Sequence, residues 1–198
     1  MDVELPPGTD VGTLEMAAPR LSHFFQSPLS GNLFQPKAAG ACNLDISCYP
    51  DLNPLSGTTA KMVFTKSGSS YLCTGTLMND KDASSWVPYF LSANHCFSTQ
   101  SVASTLQTYW FYRSSSCGGP PGSYQTLTGG ATLLYATAST DTLFVRLLNS
   151  PPSGAYFAGW TAGLPQMDMA VTGVHHPAGD LQKVSFGNLK GYCVDHNG

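Results

Sequence analysis

The chain has 198 residues, enough for one large domain or two small ones around a real hydrophobic core. Charged residues make up 11% of it, against roughly 25% in an average soluble domain. The formal net charge is -3, with no basic run and no Lys/Arg stretch interleaved with aromatics, which excludes a nucleic-acid footprint. The apolar runs are too short for a membrane-spanning helix, and no membrane partner is expected.

Gly (20) and Pro (14), with many Ser and Thr, replace the missing charge and suit an extracellular protein of short strands and many turns. Residues 1–26 alternate weakly around the turn Pro6-Pro7-Gly8, and residues 27–41 have the Pro-, Gly- and Ala-rich texture of a linker. The first twenty residues lack a signal peptide, because Asp2 and Glu4 stand where a basic region should be and no apolar stretch follows.

From Cys42 onward short apolar runs alternate with turn residues. Strands are expected at Lys61–Thr65, Tyr71–Met78, Val87–Ser92, Leu106–Arg113, Ala131–Ala136 and Leu143–Leu147. Three more are expected at Ala155–Trp160, Met169–Val174 and Lys183–Phe186. With hardly any helical periodicity, this is an all-β chain, a sandwich or a barrel.

The six cysteines, Cys42, Cys48, Cys73, Cys96, Cys117 and Cys193, are widely spaced. No C-x-x-C pair, H-E-x-x-H or clustered Cys/His spacing points to zinc, so no metal or other cofactor is expected. An even number at such spacing reads as a disulfide framework in an oxidising compartment.

The chemistry concentrates in two segments. Tyr71-Leu-Cys-Thr-Gly-Thr-Leu-Met78 is a small strand, and Tyr89-Phe-Leu-Ser-Ala-Asn-His-Cys96 is an apolar one that ends in a histidine. A Cys73–Cys96 bridge would tie the two together beside His95, holding it in one rotamer as a general base requires. Forty-six residues later, Asp141 opens the apolar strand Thr142-Leu-Phe-Val-Arg-Leu147, placed to be half-buried and to orient an imidazole. Each residue alone is commonplace; the order, spacing and bracketing cysteines together are specific.

His175-His176 point to opposite faces if they lie on a strand, which argues against joint ligation of one ion and for a structural role before Pro177. The run Tyr109-Trp110-Phe111-Tyr112 reads as a strand packed on both faces.

The segment Leu91-Ser-Ala-Asn-His95-Cys96 resembles the histidine motif of trypsin-like, chymotrypsin-fold serine proteases. Ala41-Cys-Asn-Leu-Asp-Ile-Ser-Cys48, Cys73-Thr-Gly-Thr-Leu77, Thr108-Tyr-Trp-Phe-Tyr112, Phe157-Ala-Gly-Trp160 and Val174-His-His-Pro177 resemble the bacterial lysyl endopeptidase branch. The resemblance runs from about residue 41 to 187. It implies a double β-barrel, with the first barrel complete at residues 41–150 and the second, 151–198, begun and truncated.

It further implies His95 as general base and acid, Asp141 as its orienting carboxylate, and the pairs Cys73–Cys96 and Cys48–Cys117. Cys42 would reach a cysteine after the nucleophile, and Cys193 could pair with Cys42 or with a residue not given. Residues 1–40 resemble the tail of a pro-region followed by a linker. The implied activity is that of a secreted serine endopeptidase, a monomer when complete, cleaving protein or peptide substrates after Lys (or Arg).

One departure stands out. The family needs a Gly-x-Ser-Gly turn, yet Ser30, Ser56, Ser67 and Ser153, the serines followed by glycine, all lack the glycine two residues before. The expectation is therefore a fragment without its nucleophile, inactive alone; the alternative is a non-catalytic module of the same fold that binds or scaffolds.

Overall fold

The computed structural model describes residues 39–40, 42–82 and 84–192. Of the expected pro-region and linker at 1–40, residues 1–38 lie outside the described residues, as does Cys193. Two antiparallel sheets make up the all-β architecture expected from the sequence.

The larger sheet has seven strands: β2 (Thr59–Lys66), β3 (Ser69–Met78), β4 (Tyr89–Ala93), β5 (Gln107–Trp110), β6 (Gln125–Leu127), β7 (Ala131–Thr137) and β8 (Thr142–Leu147). Their order is β6-β5-β2-β3-β4-β8-β7. The outermost two, β6 and β7, are consecutive in the chain and separated only by Thr128-Gly129-Gly130, so the sheet rolls back on itself. Side chains from all of its strands meet in one core, which the chymotrypsin-like barrel requires.

β2 shows how the sequence builds this core. Ala60, Met62 and Phe64 alternate inward and are essentially inaccessible, in register with the pleat. Ser67 and Gly68, both with positive φ, make the two-residue turn into β3, matching the right-handed twist of the hairpin. Phe90 from β4, Trp110 from β5 and Leu143 and Val145 from β8 complete the interior. The Phe90 ring lies against Gly75 of β3 so closely that any Cβ there would collide with it.

Rolling leaves β7 with backbone groups to satisfy, and Gln100 of the short helix α1 (Gln100–Ala103) does so. Its amide donates to the Ala131 carbonyl (2.9 Å) and accepts from the Leu133 N–H (2.7 Å).

The second sheet has three strands in the order β1-β10-β9: β1 (Leu44–Asp45), β10 (Lys183–Asn188) and β9 (Ala170–His175). The turn between β9 and β10, His176–Gln182, is pinned to the first sheet. The His176 N–H donates to Thr74 Oγ1 (3.0 Å) and the Gln182 N–H to the Tyr112 carbonyl (2.9 Å). The fully buried Gln182 amide also donates to the Ser56 and Thr59 carbonyls, each at 3.2 Å.

Two strand expectations need correction. Ala155–Trp160 is no strand: it makes only an isolated bridge, Met78 to Ala158. Leu106–Arg113 stops at Trp110, because Phe111 adopts φ 60 and turns the chain out of the ladder. Tyr109 and Trp110 are buried as expected of a strand packed on both faces. β6 and β1 were not foreseen; at three and two residues they are too short to show a period.

Candidate active site

His95 and Asp141 come together through strand register. β4 and β8 pair antiparallel, with Ala93 opposite Thr142. The end of β4 and the start of β8 therefore share one rim of the sheet, and the residues just outside the ladder, Asn94-His95 and Asp141, must meet there. The Asn94 N–H donates to the Asp141 carbonyl (3.0 Å) and extends the ladder by one bond.

Asp141 is the last residue of the four-residue loop joining β7 to β8, and its φ of 49 lies in the left-handed region, which aspartate tolerates better than most residues. That backbone turn aims the carboxylate back at His95. Oδ2 lies 2.6 Å from His95 Nδ1, and Oδ1 accepts the His95 backbone N–H at 2.8 Å. Both side chains are open to solvent, 70% and 51% exposed. The hydrogen bonds from the His95 ring and backbone hold the Asp141 carboxyl below its usual range. An ionised carboxylate only accepts, so Nδ1 carries the proton of this bond and Nε2 is the ring nitrogen left free of Asp141.

Below the dyad, Cys73 of β3 and Cys96 are joined, with Cα atoms 6.3 Å apart. The Cys96 N–H closes the turn onto the Ala93 carbonyl (3.1 Å), and Ser92 Oγ donates to the Thr74 carbonyl (2.8 Å). His95 is thus fixed at its backbone on both sides. The second bridge, Cys48–Cys117, has a Cα separation of 4.4 Å and ties the segment after β1 to the loop before β6. Cys42 is exposed. A concavity of about 560 Å³ between Phe111, Arg113, Tyr124 and Gln125 is lined by neither member of the dyad.

The two adjacent histidines diverge as expected. His175 Nε2 is 3.0 Å from Asn43 Oδ1. His176 is buried, with Nδ1 3.0 Å from the Asp180 carbonyl, stacked near Tyr112. Sequence reasoning missed what surrounds it. Lys61, facing outward from β2, is fully buried between Tyr109 and Tyr112 with its ammonium 3.6 Å from the Tyr112 ring centre and 3.3 Å from the Gly179 carbonyl. The only signal was a lysine flanked by the apolar residues Ala60 and Met62-Val63-Phe64.

Residues 36–198 match the family described as lysyl endopeptidase, C-terminal domain. The chain belongs to the lysyl endopeptidase family. It is 35% identical over 210 residues to lysyl endopeptidase of Pseudomonas aeruginosa, covering 100% of this chain and 45% of that protein. It is also 28% identical over 176 residues to secreted RxLR effector protein 73 of Plasmopara viticola, covering 84% and 42%. The chain thus spans less than half the length of these relatives. Similar solved structures include a thermostable serine protease AL20 (11% identity, 68% and 67% covered, TM-score 0.44) and GrC (16% identity, 75% and 65% covered, TM-score 0.47). Family membership agrees with the resemblance carried by the histidine motif. Among the described residues no helix is long and apolar enough to cross a membrane.

Proposed function

We propose that this chain carries the histidine and aspartate of a serine endopeptidase's triad, His95 as general base and acid and Asp141 as its orienting carboxylate. The observation that carries the reading is the double grip of Asp141 on His95, 2.6 Å to Nδ1 and 2.8 Å to the backbone N–H. With Nδ1 holding its proton, Nε2 takes the proton of an attacking serine hydroxyl and Asp141 stabilises the imidazolium formed. The ring then returns that proton to the leaving amine. The nucleophile and the oxyanion-hole amides are assigned to no residue of this chain.

Protein or peptide substrates, and cleavage after Lys (or Arg), are taken from the family. Two disulfides support a secreted protein. The proposed organisation is a pro-region tail and linker at 1–40, a first barrel at 41–150 and the beginning of a second at 151–198. By itself, polypeptide 1–198 should not turn over lysyl or arginyl esters above a His95→Ala control. Turnover abolished by a serine-directed inhibitor would overturn that.

The role of His95 is tested in a chimera in which residues 39–192 replace the matching part of the Pseudomonas enzyme. Cleavage of lysyl substrates is expected, falling by about 10⁴-fold or more with His95→Ala. A folded chimera whose activity is unchanged by that substitution would overturn the assignment.

A further inference from the structure

Among the described residues, one group has donors placed to surround a metal ion: Cys73 Sγ, Cys96 Sγ and a ring nitrogen of His95, all within 4.8 Å of one another. The sulfurs are joined in a disulfide, and it is the thiolate that binds metals. In the sequence these three read as a bridge beside a histidine, with no metal-ligand spacing, because Cys73 reaches the other two from a neighbouring strand.

We propose that opening the Cys73–Cys96 bridge with a dithiol creates a two-thiolate, one-imidazole site for a thiophilic divalent cation, Zn²⁺ or Cd²⁺. The inference stands on geometry. Tetrahedral zinc, with Zn–S about 2.3 Å and Zn–N about 2.0 Å, sets S···S near 3.7 Å and S···N near 3.5 Å. The sulfur-to-nitrogen distances must therefore close by about 1.3 Å at most. The Cα atoms of the two cysteines, 6.3 Å apart, allow both side chains to reach one ion.

The frame has ties besides the bridge. β3 and β4 stay paired through Thr76–Leu91 and Leu77–Phe90, and Ser92 still donates to the Thr74 carbonyl. With Asp141 on Nδ1, the ion would have to take Nε2, and Asp141 would then be the carboxylate partner that metal-bound histidines commonly have.

The chemistry balances. A thiolate of the dithiol attacks Cys73 Sγ, since Cys96 is the more buried of the two, and expels the Cys96 thiolate. The reagent's second thiol resolves the mixed disulfide, leaving two reduced cysteines and a cyclic disulfide. The cation then displaces two thiol protons to water, so dication and thiolates sum to zero charge, and a water fills the fourth position. Should His95 be the general base, an occupied ring nitrogen also withdraws it from catalysis. That consequence rests on the proposed function; the metal binding does not.

The test is a Cd²⁺ titration of the protein, reduced with dithiothreitol and desalted without oxygen, read by thiolate-to-cadmium charge-transfer absorption. The His95 ring nitrogen resonances are followed in parallel with Zn²⁺. Expected are a shift of those resonances in the reduced protein only, and a loss of about tenfold or more in affinity with His95→Ala. The double variant Cys48→Ser/Cys117→Ser should keep the site, separating it from the other bridge. Equal affinity in wild type and His95→Ala, or loss of the site in a folded Cys48→Ser/Cys117→Ser protein, would overturn the proposal. If that variant fails to fold, the wild-type resonances decide: an unmoved His95 ring refutes it.

Discussion

Ala93 and Thr142 stand directly opposite one another across the β4–β8 pair, and this register brings His95 within 2.6 Å of Asp141. A slip of one residue would turn the strand faces over and carry the Asp141 carboxylate away from the ring. The dyad is thus as rigid as the sheet beneath it.

Asp141→Asn should leave that register intact and disable the site. An amide at this position can donate to Nδ1, which favours the tautomer with its proton on Nε2, the wrong nitrogen for a base. In the chimera with the Pseudomonas enzyme, kcat should fall by about 10⁴-fold with little change in thermal stability. A loss smaller than tenfold would contradict the role given to Asp141.

Gly75→Ala should be among the most damaging single-methyl additions to the first sheet, because the new Cβ would collide with the Phe90 ring. Phe90 is fully buried and edge-on to Trp110, so the ring has nowhere to retreat. Overpacking of this kind costs about 1–3 kcal/mol. A fall in Tm of several degrees is expected in thermal unfolding, partly relieved by adding Phe90→Leu; an unchanged Tm would mean that the strands separate freely there.

Much of this was legible in the sequence. Short apolar runs bounded by turn residues located β2, β3 and β8, and the apolar strand ending in Asn94-His95-Cys96 located the site. Segment 155–160 looked like a strand because apolar residues are frequent there, yet Tyr156 and Trp160 are exposed and only one bridge forms. Composition reports which residues can pair; it does not report whether a neighbouring edge is available. Phe111 ended β5 through a positive φ that no propensity rule anticipates for an aromatic residue. The burial of Lys61 had no sequence signal beyond its apolar neighbours, since lysine is almost never buried without partners. The partners, two tyrosine faces and a carbonyl from residue 179, come from elements distant in sequence.

His176 should make the protein acid-sensitive. Burial pushes its pKa down to about 3, with the Asp180 carbonyl opposing and Lys61 and His175 adding to the fall. An unfolded histidine binds a proton below about 6.5. Between that value and about 3 the unfolded state therefore holds more protons, and stability drops as the pH falls. His176→Gln should flatten the decline of Tm between pH 6.5 and 4. A wild-type Tm that is level across that range would refute the buried neutral ring.

Lys61 should act at the other end of the scale. Burial lowers its pKa from 10.5 to about 8, with the Asp180 charge opposing the shift. For a cation whose folded pKa lies below its unfolded one, both states are protonated below about 8, and the folded state there bears the full cost of a desolvated charge. Between about 8 and 10.5 the unfolded chain binds more protons, so stability should rise with pH through that window. The tyrosines act above that window and with the opposite sign: burial raises the pKa of Tyr109 and Tyr112 above 10.0, so above about pH 10 the unfolded chain loses their protons first and stability falls. Asp180, His176 and the Gly179 carbonyl face the ammonium from the β9–β10 turn. Lys61→Met keeps the length of the stem and removes the charge. Exchanging a buried charge for a hydrophobe of similar volume is often neutral or stabilising. The Met variant should therefore have a Tm at pH 7 no lower than wild type and lose the rise between pH 8 and 10. A variant clearly less stable at pH 7 would show that the ammonium's contacts with Tyr112 and Gly179 outweigh its desolvation.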